Sequence, residues 1–207
     1  MEQKPILVTL TSPSCGGKSY LYSHIRDVAR LPCIVSTTTR PPRANEIEGV
    51  DYYFISEEES KQLEEANMFA ELVVYNGVRY GVTKQEFSTK LRKGVCFLIV
   101  EPSGAEQYEH VAERYGADWM KVFIDTPLDI RIDRFNARIQ NDLAKELDGE
   151  NVNQQKIFNL VKAAIKRGMS IVTEESRWVD SWDWDHVIDG TKSPEENLAF
   201  IRRMIDR

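Results

Sequence analysis

The segment that most restricts the possible fold of this chain lies close to its start. A short apolar run at residues 6–10 leads into a loop rich in serine, proline and glycine, and a helical pattern begins at Lys18. Residues 12–19 read S-P-S-C-G-G-K-S, which fits the phosphate-binding motif G-x-x-x-x-G-K-[ST] except at its first position. A strand, this loop and a helix in that order predict an α/β protein that binds a nucleoside triphosphate.

The same loop predicts which groups bind ATP and Mg²⁺. In such a motif, backbone N–H groups of the loop and of the following helix surround the phosphate oxygens. We expect ATP to contact Ser14, Cys15, Gly16, Gly17, Lys18 and Ser19. Lys18 would neutralise the β- and γ-phosphates, and the Ser19 hydroxyl would hold Mg²⁺. An ordinary glycine-rich turn is the alternative, which the intact G-G-K-S between a strand and a helix disfavours.

Beyond the loop, strand-like and helix-like segments alternate along the chain. Apolar runs predict buried strands at residues 33–36, 95–100, 122–124 and 186–188. Amphipathic patterns between these runs predict helices. The alternation is typical of a doubly wound parallel sheet of the P-loop NTPase type, which is the predicted α/β fold class.

Between residues 37 and 83 the pattern changes to short segments. These segments predict antiparallel strands at residues 37–40, 52–55, 70–75 and 80–83. We therefore predict a single domain over residues 1–207. Its core would be formed by residues 1–36 and 84–207, and a mixed β flap would be formed by residues 37–83.

Composition and charge exclude several classes of partner. A chain of 207 residues with 42% hydrophobic residues can bury a core, and its net charge of −6 disfavours nucleic-acid binding through the phosphate backbone. No apolar run reaches bilayer length, so no membrane partner is expected. The chain has three cysteines, Cys15, Cys33 and Cys96. Their odd number and their lack of metal-ligand spacing predict reduced thiols and a cytoplasmic location.

A second group of residues suits a phosphate monoester. Arg40 and Arg43 are separated by two prolines, and Tyr52 and Tyr80 follow downstream. Guanidinium groups bind phosphate oxygens in bidentate fashion, and a tyrosine hydroxyl adds a directed donor. A solvated basic turn explains the two arginines equally well, so these residues alone leave both interpretations open.

Taken in order, these motifs closely resemble those of the guanylate kinase family. The matching segments are the loop at residues 12–19, S-T-T-T-R-P-P-R at residues 36–43, G-V-D-Y-Y-F at residues 49–54, F-A-E at residues 69–71 and Y-G at residues 80–81. Further matches are an arginine-bearing helix at residues 127–138 and D-H-V-I at residues 185–188. The resemblance spans nearly the whole chain. It implies an ATP- and Mg²⁺-dependent kinase that phosphorylates a guanine nucleoside monophosphate, either GMP or dGMP.

The resemblance also implies how the acceptor would be held. Arg40, Arg43, Tyr52 and Tyr80 would grip the monophosphate in the flap, and Ser36 would reach the base O6. Glu71 would read the base edge, because one carboxylate can accept from both N1–H and the 2-amino group of guanine. Adenine has a lone pair at N1, so the same carboxylate would reject it.

Catalytic groups follow from the resemblance as well. Arg134 and Arg138 lie a turn apart and match the family's transition-state arginines, and Glu101 would act near Mg²⁺ and Lys18. A polar stretch predicts a mobile lid at about residues 138–155. The family also has a third arginine, in its lid, which has no clean match in this sequence. Lys156 or Lys162 could serve in that role.

Three positions depart from the family pattern. Ser12 replaces the first loop glycine, which costs little if its φ is negative and strains the loop if it is not. Ile99 stands where the family has an acidic residue, and Val82 stands where it has a hydroxyl residue. The base pocket could therefore be more apolar or could suit a modified purine.

Two other functions are weighed against a guanylate kinase. A kinase of another small phosphate acceptor, such as ribose 1,5-bisphosphate, shares the loop and a Tyr-Gly-Val pattern. A non-catalytic guanylate kinase-like module that binds phosphoproteins is the second, which Lys18, Ser19, Arg134 and Arg138 disfavour. A monomer and a homodimer are both compatible with the sequence.

Overall fold

A four-stranded parallel sheet forms the centre of the molecule. The computed structural model describes residues 4–43, 46–75, 77–100, 102–147 and 153–206. Strands β1 (Ile6–Thr11), β6 (Val95–Ile99), β7 (Asp118–Asp125) and β8 (His186–Asp189) lie in the order β6-β1-β7-β8, and each neighbouring pair is parallel. This order confirms the predicted α/β fold. The strands are rich in apolar residues because helices cover both faces of the sheet.

Two hydrophobic clusters lie on opposite sides of this sheet. On one side, β1 packs with α1 (Lys18–Asp27) and α7 (Pro194–Ile205), where Ile25 and Ile201 are almost fully buried. On the other side, it packs with α3 (Lys84–Leu91) and α4 (Pro102–Arg114). Adjacent residues of β1 therefore belong to different clusters, with Leu7 in the second and Val8 in the first.

The predicted flap is a second, smaller sheet with the strand order β3-β2-β5-β4. It contains β2 (Thr37–Thr38), β3 (Tyr53–Phe54), β4 (Phe69–Tyr75) and β5 (Val78–Thr83), and helix α2 (Glu57–Glu65) joins β3 to β4. The pairing confirms a mixed sheet, since β2 and β5 and also β4 and β5 are antiparallel. The antiparallel direction expected of the individual segments was wrong for β2 and β3, which are parallel. A parallel pair needs a crossover connection, and the segment between these strands supplies it.

One predicted core strand is also wrong. Residues 33–36 form a single bridge, between Cys33 and Phe97, and no strand. Cys33, Ile34 and Val35 are nevertheless buried, so the apolar run reflects burial beside β6 and not a ladder of its own.

A helical hairpin follows β7. Helix α5 (Leu128–Leu147) and helix α6 (Gln154–Thr173) pack together, and Lys156 Nζ lies 2.6 Å from Glu146 Oε1 at the tip of the hairpin. The predicted lid begins inside α5, so its first ten residues are helical, and residues 148–152 lie outside the described part of the chain. A 3-10 helix, Glu175–Ser181, connects α6 to β8. In the described residues, no helix is both long and apolar enough to span a bilayer.

Candidate active site

One cavity of about 890 Å³ opens between the carboxyl edge of the central sheet and the flap. Ligands of open α/β sheets bind at this edge, where loops follow the strands. The cavity is lined by all the predicted site residues that the structure describes: Ser14, Cys15, Gly16, Gly17, Lys18, Ser19, Ser36, Arg40, Arg43, Tyr52, Glu71, Tyr80, Arg134 and Arg138. Glu101 lies outside the described residues.

The loop after β1 has the backbone that its glycines predict. Gly17 has a φ of 101° and is the N-cap of α1, whose first N–H groups have no acceptor in a preceding turn. Cys15 also adopts a positive φ, of 61°, whereas Ser12 does not. Replacing the first loop glycine with Ser12 therefore causes no strain from a positive φ. A Cβ on Gly16 would lie 2.8 Å from Ser12 Oγ, so the serine fits because residue 16 is glycine.

Hydrogen bonds from the segment after β7, from α5 and from α1 hold this loop in place. Thr126 Oγ1, after β7, donates to Gly16 O at 2.8 Å. Arg134 donates from Nη1 to Cys15 O and from Nη2 to Gly190 O, both at 3.2 Å. Lys18 Nζ donates to Ser12 O at 3.2 Å. Arg134 thus reaches the loop from α5.

On the flap side of the cavity, two lining arginines, Arg40 and Arg43, share one carboxylate, Glu46. The Arg40 guanidinium donates to both carboxylate oxygens of Glu46, at 2.6 and 2.7 Å, and Arg43 N donates to Glu46 Oε2 at 2.8 Å. Burial opposes the charge of Arg40, but the hydrogen bonds and charge of Glu46 outweigh it and raise the pKa of Arg40. Arg40 also lies 4.9 Å from the ring centre of Tyr52. These contacts fix Arg40 against Glu46 and Tyr52, whereas the Arg43 side chain stays 61% exposed.

Glu71 lies at the base of the cavity with 7% exposure. Tyr108 on α4 donates a hydrogen bond from its hydroxyl to Glu71 Oε2 at 2.7 Å. Burial raises the pKa of Glu71 to about 7, and the hydrogen bond from Tyr108 opposes that rise only in part. Sequence reasoning missed Tyr108, because nothing in an amphipathic helix marks which polar group turns inward.

The two departures at the base pocket have different consequences. Ile99 lines the cavity, so at this position its wall is apolar. Val82 is fully buried in the core and is not among the described residues that line the cavity. Val82 is nevertheless the cross-strand partner of Glu71, which does line the cavity.

Sequence reasoning missed several further lining residues. Thr191 and Lys192 follow β8, and a loop at the carboxyl end of a parallel strand beside the phosphate loop was the available signal. Arg167 on α6 also lines the cavity. Lys156 and Lys162, the two suggested lid cations, are described residues that do not line it.

Comparison with known proteins shows the family of this chain. The sequence model of the family described as guanylate kinase matches residues 3–165. The guanylate kinase of Chlamydia muridarum is 33% identical over 158 residues, which cover 72% of this chain and 73% of that protein. The guanylate kinase of a Synechococcus species is 39% identical over 58% of this chain, and the chain spans about half of that relative, 55% of its length.

A solved structure matches the fold as a whole. The crystal structure of guanylate kinase from Anaplasma phagocytophilum aligns with a TM-score of 0.61 and 21% identity, covering 100% of this chain and 87% of that one. At this level of identity the likeness supports the fold alone. The extent of the family match, together with the Chlamydia muridarum relative, shows that the chain belongs to the guanylate kinase family.

Proposed function

We propose that this protein transfers the γ-phosphoryl group of ATP to GMP or dGMP. The observation that carries the proposal is a single cavity with the phosphate-binding loop at one end and Arg40, Arg43 and Glu71 at the other. An anionic donor and an anionic acceptor would thereby meet tail to tail. A sugar-phosphate kinase and a non-catalytic module are not favoured, because the matching relatives are named guanylate kinases.

At the donor end, the loop residues Ser14–Ser19 would bind ATP through their backbone N–H groups and through Lys18. Arg134 and Arg138 on α5 line the same end and would spread the charge of the transferring phosphoryl group. The guanidinium of Arg134 already contacts the loop carbonyl of Cys15, so its position does not depend on lid closure.

Mg²⁺ fits this donor end as a partner of ATP. In the described residues no group of three or more His, Cys, Asp or Glu side chains could hold a metal by itself. Mg²⁺ commonly keeps several waters and binds one or two protein groups with substrate phosphates. Ser19, which lines the cavity, would be one such group. Glu101, the predicted second group, stays a prediction. When bound, Mg²⁺ would neutralise charge on the β- and γ-phosphates.

At the acceptor end, Arg40 and Arg43 would hold the monophosphate, and Tyr52 and Tyr80 would donate hydrogen bonds to it. The acceptor phosphate would displace Glu46 from between the two arginines, since both anions suit the same guanidinium fork. The phosphate oxygen is itself the nucleophile, so neither a general base nor a covalent intermediate is needed. Positioning in line with the γ-phosphate is the main task.

The base would be read by Glu71 and Ser36 against the apolar side chain of Ile99. An ionised Glu71 carboxylate accepts from N1–H and the 2-amino group, which selects guanine over adenine. The apolar Ile99 also admits a modified purine.

Since Cys15, Cys33 and Cys96 are all free thiols, we place the reaction in the cytoplasm.

A coupled assay of ADP release tests the proposal. The panel contains GMP, dGMP, AMP, modified purine monophosphates and ribose 1,5-bisphosphate, each with ATP and Mg²⁺. We expect turnover with GMP or dGMP and none with AMP. No ADP release with any guanine monophosphate would overturn the proposal, and turnover with ribose 1,5-bisphosphate alone would replace the acceptor.

A further inference from the structure

A buried carboxylate joins the phosphate-binding loop to the segment after α6. Glu175, the first residue of the 3-10 helix, is 0% exposed. The Ser14 backbone N–H donates to its Oε2, the Ser14 hydroxyl donates to its Oε1 at 3.0 Å, and the Ser170 hydroxyl donates to Oε1 at 3.1 Å. Arg167 Nη1 lies 3.6 Å from the same Oε1 atom.

These partners are what a buried charge requires. An isolated carboxylate in the interior costs several kcal/mol, and donors together with a nearby cation offset that cost. Here three donors and the Arg167 guanidinium converge on one side chain. Burial lowers the pKa of Arg131 on α5, and the negative charge of Glu175 opposes this shift. The carboxylate therefore balances cations from both helices of the hairpin.

The contact with Ser14 constrains the loop at its most demanding point. Ser14 precedes Cys15, which has a positive φ of 61°, and Gly17, which has a φ of 101°. A non-glycine residue in this region costs free energy, which surrounding contacts must supply. Glu175 accepts hydrogen bonds from both the N–H and the hydroxyl of Ser14. It therefore fixes Ser14, the residue just before the positive φ of Cys15.

Arg167 brings a cation to the same cavity. Its side chain is 32% exposed and lines the cavity together with Arg134 and Arg138. Its ion pair with Glu175 sets the direction of the guanidinium at the cavity wall. An anionic ligand with several phosphates would gain from this third positive charge.

We propose that Glu175 is a positioning residue of the donor site, which holds the phosphate-binding loop through Ser14 and holds Arg167 at the cavity wall to contact the phosphates of ATP. The inference rests on the proposed function for the identity of the donor. Both residues lie beyond residue 165, where the family match ends, so that match assigns them no role.

The test compares Glu175→Gln with a matched control, Glu174→Gln. Glu174 is the neighbouring residue, carries the same charge and is exposed. A glutamine at 175 keeps the shape but has one acceptor oxygen and no charge, so it cannot satisfy the three donors and Arg167 together. We expect the KM for ATP, and the Kd of the ATP analogue AMP-PNP with Mg²⁺ measured by calorimetry, to rise about tenfold. The KM for GMP should change less than twofold, and the control should match the wild type.

A second variant separates positioning from a general structural role. Arg167→Ala removes a half-exposed side chain, so folding should survive even if Glu175→Gln does not fold. We expect Arg167→Ala alone to weaken AMP-PNP binding about tenfold, and to weaken it much less in the Glu175→Gln background, because the two residues act through one contact.

Several outcomes would overturn the inference. These are unchanged AMP-PNP binding in Glu175→Gln or in Arg167→Ala, fully additive losses in the double variant, and equal rises in the KM values of ATP and GMP. Since AMP-PNP binding is measured without an acceptor, a wild type that binds the analogue but phosphorylates nothing would refute the proposed function separately. In that case a tenfold loss in Glu175→Gln would still support the inference.

Discussion

Glu71, which lines the cavity, and Glu46, which pairs with two cavity arginines, have opposite pKa shifts because their neighbours differ. Burial raises the pKa of Glu46, but the hydrogen bonds from Arg40 and Arg43 outweigh that effect and lower it. Glu71 receives one hydrogen bond, from the Tyr108 hydroxyl, so burial dominates and raises its pKa to about 7. Neutral pH therefore leaves Glu46 ionised and divides Glu71 between its two forms.

Acceptor binding should depend on pH through Glu71. The carboxylate accepts from guanine only when ionised, and with a pKa of about 7 its ionised fraction rises about tenfold from pH 6 to pH 8. We expect the KM for GMP to fall by a similar factor over this range. Phosphate ionisation near pH 6 adds its own effect. In Glu71→Gln the KM for GMP should show only the effect of phosphate ionisation. The same pH profile of KM in the variant and in the wild type would contradict the prediction.

Base selectivity should change in the same variant. A glutamine presents one acceptor and one donor group, so it can pair with N1 of adenine as well as with guanine. We expect Glu71→Gln to reduce the ratio of kcat/KM for GMP over AMP by at least about 100-fold. Steady-state kinetics with both nucleotides measures this ratio. A ratio equal to that of the wild type would mean that another group reads the base.

The raised pKa of Glu71 also predicts how stability varies with pH. Its pKa is about 7 in the folded protein against 4.5 as the ordinary value, so the native state binds this proton more tightly. The free energy of unfolding should therefore fall as pH rises from about 4.5 to 7, by roughly 3 kcal/mol at most for this group. Urea unfolding of wild type and Glu71→Gln should show the variant gaining relative stability at pH 8 over pH 5. An equal difference at both pH values would contradict this.

At the scale of elements, the ends of three parallel strands hold the phosphate-binding loop. The residues after β7 and β8 meet the loop at Thr126, which donates to Gly16 O, and at Gly190, which lies close to Gly16 and Gly17. A Cβ on Gly190 would lie 1.9 Å from Thr126 Oγ1 and 2.7 Å from Gly16 O. Glycine at 190 is required by this close approach of three segments and not by its φ.

Gly190→Ala should therefore disturb both stability and ATP binding. The added methyl group would break the hydrogen bond from Thr126 to Gly16 O and displace the loop, at about 1–3 kcal/mol for overpacking. Gly168→Ala, in the interior of α6, is the matched control. A Cβ there meets Phe135 at 3.4 Å, so helix propensity should stabilise it by about 0.5–1 kcal/mol. Thermal unfolding with and without ATP would measure both effects, and equal stability of the two variants would contradict the packing argument.

At the scale of the whole molecule, the cavity joins a core sheet and a flap that bind different substrates. Each ligand should stabilise the fold on its own, and 100-fold excess over Kd contributes about 2.7 kcal/mol. For a protein of this size that amounts to a rise in Tm of about 5–10 °C.

The two ends can be separated by two substitutions. Lys18→Ala should abolish turnover and the Tm shift with ATP while keeping the Tm shift with GMP. Arg40→Ala should abolish the Tm shift with GMP while keeping the Tm shift with ATP. Arg92→Ala, an exposed residue away from the cavity, is the control and should keep both shifts. Loss of both shifts in either active-site variant would indicate that the two ends do not bind independently.

The sequence by itself determined the central sheet, the phosphate-binding loop and the arginine-rich flap. Each of these depends on local pattern: an apolar run, a glycine motif beside Lys18, or two arginines spaced by prolines. Such features act over a few residues, so chemistry and spacing are enough to predict them. The antiparallel direction expected of the flap strands failed for β2 and β3, because strand direction depends on the connection and not on composition.

Only the tertiary structure decided which distant side chains complete the site. Tyr108 reaches Glu71 across 37 positions, and Glu175 reaches Ser14 across 161. Tyrosine and glutamate on a helix are ordinarily exposed, and no local pattern separates the few that turn inward. Their roles arise because folding removes water from a carboxylate and obliges it to find partners wherever the chain brings them.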